Sequence, residues 1–136
     1  VLDVKFVSYI ESKHFEQIQE LNKQEGWTQL VERNEETKQA WSKSNIAYVI
    51  LKDDDEVIGY TRGLTDEHVT LYICEMLISK PYRGLGLGGK LLNNIQGKNP
   101  TARMEMLASR TSHTFYEAQN FRPFYGYRRT YQECKL

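Results

Sequence analysis

Ile78-Ser79-Lys80-Pro81-Tyr82-Arg83-Gly84-Leu85-Gly86-Leu87-Gly88-Gly89-Lys90-Leu91-Leu92 is the stretch on which the reading of this chain turns. Four of the six residues from Gly84 to Gly89 are glycine, which lets the backbone approach a ligand closely and turn several N–H groups inward. An apolar run precedes the loop, and Leu87, Leu91, Leu92 and Ile95 follow at helical spacing, so the pattern predicts strand, loop, helix. A helix that starts among glycines adds unpaired N–H donors and a positive dipole end, a site suited to a phosphate or pyrophosphate. Arg83 before the glycines and Lys90 in the first turn add charge. The alternative is a tight connection with glycines for packing only, and their density argues against it.

Upstream, Val4 to Ile10 reads as a strand and Ser12 to Gln24 as a helix with Phe15, Ile18 and Leu21 on one face, ended by Gly26. Thr28 to Lys43 reads as a second helix, with Trp27, Leu30, Val31, Asn34 and Trp41 tracing its face. Ile46 to Leu51 is a buried strand, Asp53 to Glu56 a polar turn, and Val57 to Thr61 the returning partner. His68 to Ile78 is apolar or β-branched around its middle and belongs in the sheet interior. Downstream, Gly97 to Pro100 breaks the glycine-led helix. Met104 to Ala108 reads as a strand, Ser112 to Gln119 as a short helix, and Phe124 to Tyr131 as a final strand alternating around Tyr125, Tyr127 and Tyr131. The order β-α-α-β-β-β-α-β-α-β describes a mixed sheet, antiparallel at first, with one crossover in its second half.

The loop also satisfies G-x-G-x-x-G through Gly84, Gly86 and Gly89, with Glu105 further on. Three features oppose a dinucleotide fold. The loop comes late, Lys80 to Arg83 separate the strand from the glycines, and too little chain follows Glu105 for a doubly wound sheet. A Walker A loop fails because Leu91 follows Lys90.

Arg83-Gly84-Leu85-Gly86-Leu87-Gly88 instead resembles the Arg/Gln-x-x-Gly-x-Gly/Ala fingerprint of the GNAT acyltransferase superfamily. Phe115-Tyr116-Glu117-Ala118-Gln119-Asn120-Phe121 is similar to that family's aromatic-Tyr-Glu-x-x-Gly-Phe segment, with Asn120 in place of glycine. The resemblance covers nearly the whole chain. It implies an α/β (α+β) fold with a mixed, mostly antiparallel central sheet of six or seven strands and about four helices. It also implies a splay between the strand ending near Ile78 and the one starting near Met104. Residues 1–136 would form a single acyl-CoA N-acyltransferase domain. Acetyl-CoA would be the co-substrate, its pantetheine arm along Met76, Leu77 and Ile78. Its pyrophosphate would lie on the backbone N–H groups of Arg83, Gly84, Leu85, Gly86, Leu87 and Gly88, with Lys90 nearby. The acceptor groove would involve the Gly26-Trp27 region, Trp41 and the segment from Phe121 to Tyr127.

Acetyl transfer to an amine needs a base, an oxyanion site and an acid for the leaving thiolate. Tyr116 matches the family's tyrosine acid, provided that Phe115, Ala118 and Phe121 form the core face and leave Tyr116 free. Glu75, a carboxylate inside an apolar run, reads equally as a proton relay or as a partner of Arg83 or a neighbouring strand. Glu105 is a second carboxylate, read as structural. His14, His68 and His113 have no metal-ligand spacing, so no metal is expected. Cys74 reads as a small buried hydrophobe.

With 40% hydrophobic and 26% charged residues, the 136-residue chain has the composition of one globular domain. The two cysteines are too few for a disulfide framework. No charged and apolar leader opens the chain and no run reaches membrane-spanning length, so a cytoplasmic protein without a membrane partner is expected. The net charge of zero conceals an asymmetry: residues 1–76 carry 8 basic and 15 acidic side chains, residues 77–136 carry 10 and 3. The basic half suits an anionic donor and the acidic half a cationic small-molecule or peptide amine. Arg122, Arg128 and Arg129 make no extended patch, so nucleic acid is not expected. Aromatic residues of the last strand fit either a homodimer contact or a monomer's core. Two other functions stay open: a non-catalytic acyl-CoA-binding regulatory module, and a nucleotide-dependent oxidoreductase using the overlapping glycine pattern.

Overall fold

A computed structural model describes residues 2–134. The chain forms two compact units, one ending at Met106 and one beginning at Leu107.

The first unit is a five-stranded sheet in the order β1-β2-β3-β4-β5, with β1 Val4–Ser8, β2 Ile46–Lys52, β3 Val57–Thr65, β4 Thr70–Ile78 and β5 Arg103–Met106. Neighbours pair antiparallel from β1 to β4, whereas β4 and β5 pair parallel. The parallel step requires a crossover, and α4, Leu87–Lys98, provides it. The mixed, mostly antiparallel class is as expected, with five strands among the described residues in place of six or seven.

One face of the sheet carries α1, Glu11–Glu25, and α3, Asn34–Lys43. Phe15, Ile18 and Leu21 of α1 and Trp41 of α3 bury themselves against Val49, Leu51, Val57, Tyr60 and Leu77. Gly26, at φ +84°, ends α1 in a left-handed turn, with Gly26 N–H donating to the Lys23 carbonyl and Trp27 N–H to that of Asn22. The single helix expected over Thr28 to Lys43 is two, because Arg33 breaks it. The short α2, Thr28–Glu32, ends there and α3 starts afresh. The carbonyl of Leu30 receives Thr37 Oγ1 and Gln19 Nε2 at this break. On α4, Leu91 and Ile95 are fully buried, each worth about 1.5–3 kcal/mol of transfer free energy.

At the start of α1, buried His14 accepts the Ile10 N–H at Nδ1, 2.9 Å. Burial, and then the charge of Lys13, hold its pKa below the usual histidine value. Among the described residues, no helix is long and apolar enough to cross a membrane.

The second unit contains α5, His113–Ala118. Asn120 sits at φ +70° and closes α5, with Asn120 N–H donating to the Glu117 carbonyl and Phe121 N–H to that of Tyr116. This is the left-handed helix end that glycine usually supplies and asparagine tolerates. The strand expected over Phe124 to Tyr131 is not there. That segment belongs to no ladder, and Phe124, Tyr125, Tyr127 and Tyr131 are 84–96% exposed. Alternation marks a segment able to pair, but a strand exists only where a second strand supplies the hydrogen bonds.

Candidate active site

The site begins with an irregularity in β4. Arg62 lies opposite Glu75 but Gly63 lies opposite Ile73, so β4 carries one extra residue, Cys74, as a β-bulge. Pairing with β5 ends at the same place, at Ile73 opposite Met106, while pairing with β3 continues to Gly59 opposite Ile78. The expected splay is this divergence, and among the described residues it leaves Cys74 to Ile78 without a paired strand on this side, an open edge. Ser79 N–H donates to the Ile58 carbonyl at 2.8 Å. Antiparallel alternation then turns the backbone groups of Leu77 and Glu75 towards β3, and those of Met76 and Ile78 towards the vacated side. Leu77 is therefore not a donor-facing residue: its backbone serves the ladder and its side chain lies in the core.

Beyond the edge, a 3-10 turn at Lys80–Tyr82 leads into the glycine loop. Gly84 and Gly86 have φ of +81° and +78°, which a Cβ would disfavour, and Gly86 caps α4. The first backbone bond of the helix runs from Lys90 N–H to the Gly86 carbonyl, 3.1 Å. Among the described residues, the backbone N–H groups from Gly84 to Gly89 have no hydrogen-bond partner, and no side chain caps the helix. Consecutive free amides at the start of a 12-residue helix form an anion cradle.

An open strand edge thus leads towards that loop. The family model described as "Acetyltransferase (GNAT) domain" matches residues 10–134. The chain belongs to the GNAT acetyltransferases. No curated protein sequence matches it. Among solved structures, a GNAT-family acetyltransferase from Streptococcus pneumoniae superposes with a TM-score of 0.72 at 22% identity, covering 90% of this chain and 88% of that one. Glucosamine-6-phosphate N-acetyltransferase from Arabidopsis thaliana gives 0.69 at 14%, covering 95% and 98%. An aminoglycoside N-acetyltransferase in complex with CoA gives 0.67 at 15%, covering 95% of each chain. At these identities the likeness is one of fold.

The GNAT frame locates the remaining predicted residues. Leu85 is exposed at the tip of the loop, whereas Leu87 points into the core and offers the loop only its amide. Lys90 is exposed on the first turn of α4. Arg83 differs from expectation. Its own N–H donates to the Lys80 carbonyl, its Nε to the Ile78 carbonyl at 2.8 Å, and its Nη2 to the Glu25 carboxylate. These bonds turn it towards the β4 edge and the end of α1.

Glu75 is gripped by Arg62 of β3 through two bonds, Nε to Oε1 at 2.9 Å and Nη2 to Oε2 at 2.8 Å. Of the two sequence readings, the partner on a neighbouring strand is present, and it is Arg62 and not Arg83. Trp41 corrects the expected acceptor groove. It is 2% exposed, packed between Tyr9 and Tyr60 at centroid distances of 4.5 and 5.4 Å, and has no surface to offer a substrate. Trp27 is half-buried beside that core. Cys74 is half-buried, and burial pushes its thiol up, away from thiolate chemistry.

Within the second unit, Tyr116 makes edge-to-face contacts with Phe115 and Phe121 at 5.1 and 5.7 Å. It belongs to this aromatic group instead of standing apart from it, and Ala118 is exposed. Burial raises the Tyr116 pKa, so its hydroxyl keeps its proton at neutral pH. Two residues escaped sequence reasoning, Arg62 and Glu25. Their signal was opposite charge alone, which has no address until strand register and helix ends are known.

Proposed function

We propose that this protein is an N-acetyltransferase that moves an acetyl group from acetyl-CoA to a primary amine by direct attack in a ternary complex. The observation that carries the reading is the open edge of β4 leading directly into the free amides of Gly84 to Gly89. Acetyl-CoA supplies an activated thioester. The backbone groups of Met76 and the N–H of Ile78, whose carbonyl already accepts Arg83 Nε, hold the pantetheine arm by strand-like pairing, and an N–H on this edge faces the developing oxyanion. The amides from Gly84 to Gly89, with Lys90, bind the pyrophosphate.

An alkyl amine arrives protonated, its pKa being about 10.4 as for lysine, and must lose a proton before attack. Glu75 is the proposed relay: Arg62 fixes its orientation, and each carboxylate oxygen retains a lone pair for a water or the amine. Tyr116 is the proposed acid that protonates the departing thiolate. Trp27 and Phe121 are the proposed acceptor-binding residues. The acidic balance of residues 1–76 favours a cationic small amine or peptide amine; two similar structures are named as N-acetyltransferases of an aminoglycoside and of glucosamine-6-phosphate, so a small amine acceptor has precedent in the fold. The family match spans both compact units, which supports one catalytic domain. A cytoplasmic location belongs to the same proposal.

The test is a thermal-shift titration with acetyl-CoA, CoA and NAD in parallel, followed by an amine panel. A ligand at about 100 times its Kd adds roughly 2.7 kcal/mol. Stabilisation by acetyl-CoA and CoA with no response to NAD is expected, and stabilisation by NAD alone, or by none of the three, overturns the reading. Tyr116→Phe separates an enzyme from a non-catalytic acyl-CoA module: turnover falls by about 10²–10⁴ while CoA affinity holds.

A further inference from the structure

We infer that Arg83 is a positioning residue that ties the end of the open β4 edge to the C-terminal end of α1, so that donor binding reaches the Glu25-Gly26-Trp27 corner. The inference rests on the acyl-CoA reading above. Three observations carry it. The first is that Arg83 is turned towards the protein: its amide, Nε and Nη2 are all engaged there. The free amides start one residue later, at Gly84.

The second concerns Glu25. A carboxylate in the last turn of α1 faces the negative end of the helix dipole and is unfavourable there by itself. The guanidinium of Arg83 offsets that, in an ion pair whose side chains are 42% and 30% exposed. Third, the two partners of Arg83 belong to different elements, β4 and α1. Ile78 ends the edge along which the donor arm would pair. Glu25 is followed directly by the left-handed Gly26 and by Trp27, whose N–H groups are pinned to α1. A planar fork can hold a carbonyl with one N–H and a carboxylate with another at a fixed separation, which a lysine ammonium cannot.

The experiment is hydrogen exchange, with and without CoA, on the wild-type chain, Glu25→Ala and Arg83→Lys, together with CoA Kd values for these and the double variant. In the wild type, CoA should slow exchange both at 84–89 and at 22–27. In Glu25→Ala and Arg83→Lys the loop should still be protected while 22–27 no longer responds. Each single variant should weaken CoA binding about two- to fivefold, and the double variant should be no weaker than Arg83→Lys alone. An unchanged response at 22–27 in Glu25→Ala, or strictly additive losses, overturns the link. Protection at 84–89 without any at 22–27 in the wild type does the same while leaving the acyl-CoA site intact. No protection at 84–89 removes the site itself, and the link with it.

Discussion

From Thr70 to Lys98 the chain is held from several directions: β4 pairs along its length with β3, and α4 buries four apolar side chains at two helical spacings. From Leu107 to Cys134 only α5 and its asparagine-closed end take regular form before the final 3-10 turn, and four large aromatics beyond them stand in solvent. Both stretches read from sequence as ordered elements. The first is built from local rules, glycine torsions and a 3.6-residue stripe, that operate wherever the segment lies. The second needed a partner strand to become what its alternation advertised.

The largest test of this contrast sets Leu91→Ala against Tyr127→Ser. Loss of the fully buried leucine should cost about 2–5 kcal/mol, whereas the 95%-exposed tyrosine should change stability by no more than about 0.5 kcal/mol. Both are read by urea unfolding, and a large cost at Tyr127 would mean that the last segment is packed in solution. Next, Gly86→Ala should cost about 1–2 kcal/mol through its positive φ alone, since nothing lies within 4 Å of the added methyl. Stabilisation by CoA should fall with it if the loop torsions serve the donor. An intact CoA response would detach the cradle from the function.

Closing the second unit matters less. Asn120→Ala should cost about 1 kcal/mol while Asn120→Gly is neutral or slightly stabilising, because both act on one left-handed residue. Equal effects of the two would show that the α5 end is not held in that form. The smallest expected signal is the pH response of His14. Its folded pKa is depressed, so the unfolded chain binds more protons below the unfolded value of about 6.5. Stability should fall as pH drops through that value and level off below the folded pKa, and His14→Gln should flatten the profile. Urea midpoints across this range, compared between the two proteins, measure it.

How much was legible follows the same division. The cradle was readable because four glycines among six residues admit few other purposes and because torsion preferences need no partner. The break at Arg33 was not, since each half of the Thr28–Lys43 pattern is apolar at compatible spacings and the interruption is set by bonds from Gln19 and Thr37 to Leu30. Trp41 was placed on the right helix but given a role that its burial rules out. Glu75 was singled out for being charged in an apolar strand, and its partner needed the register across Arg62 and the bulge. The missing strand at Phe124 to Tyr131 marks the limit of alternation as a guide.

The extra residue at Cys74 also upsets a rule that anyone engineering this strand would apply. Leu71 and Ile73 are absent from the core beneath α1 and α3, yet Leu77 belongs to it, although all three positions are odd-numbered. Odd and even therefore exchange meaning part-way along β4. A count begun at Leu71 assigns Glu75 to the wrong side of the sheet, and a library designed on that count would mutate the hidden side while believing it had sampled the other. The count has to be restarted after Cys74.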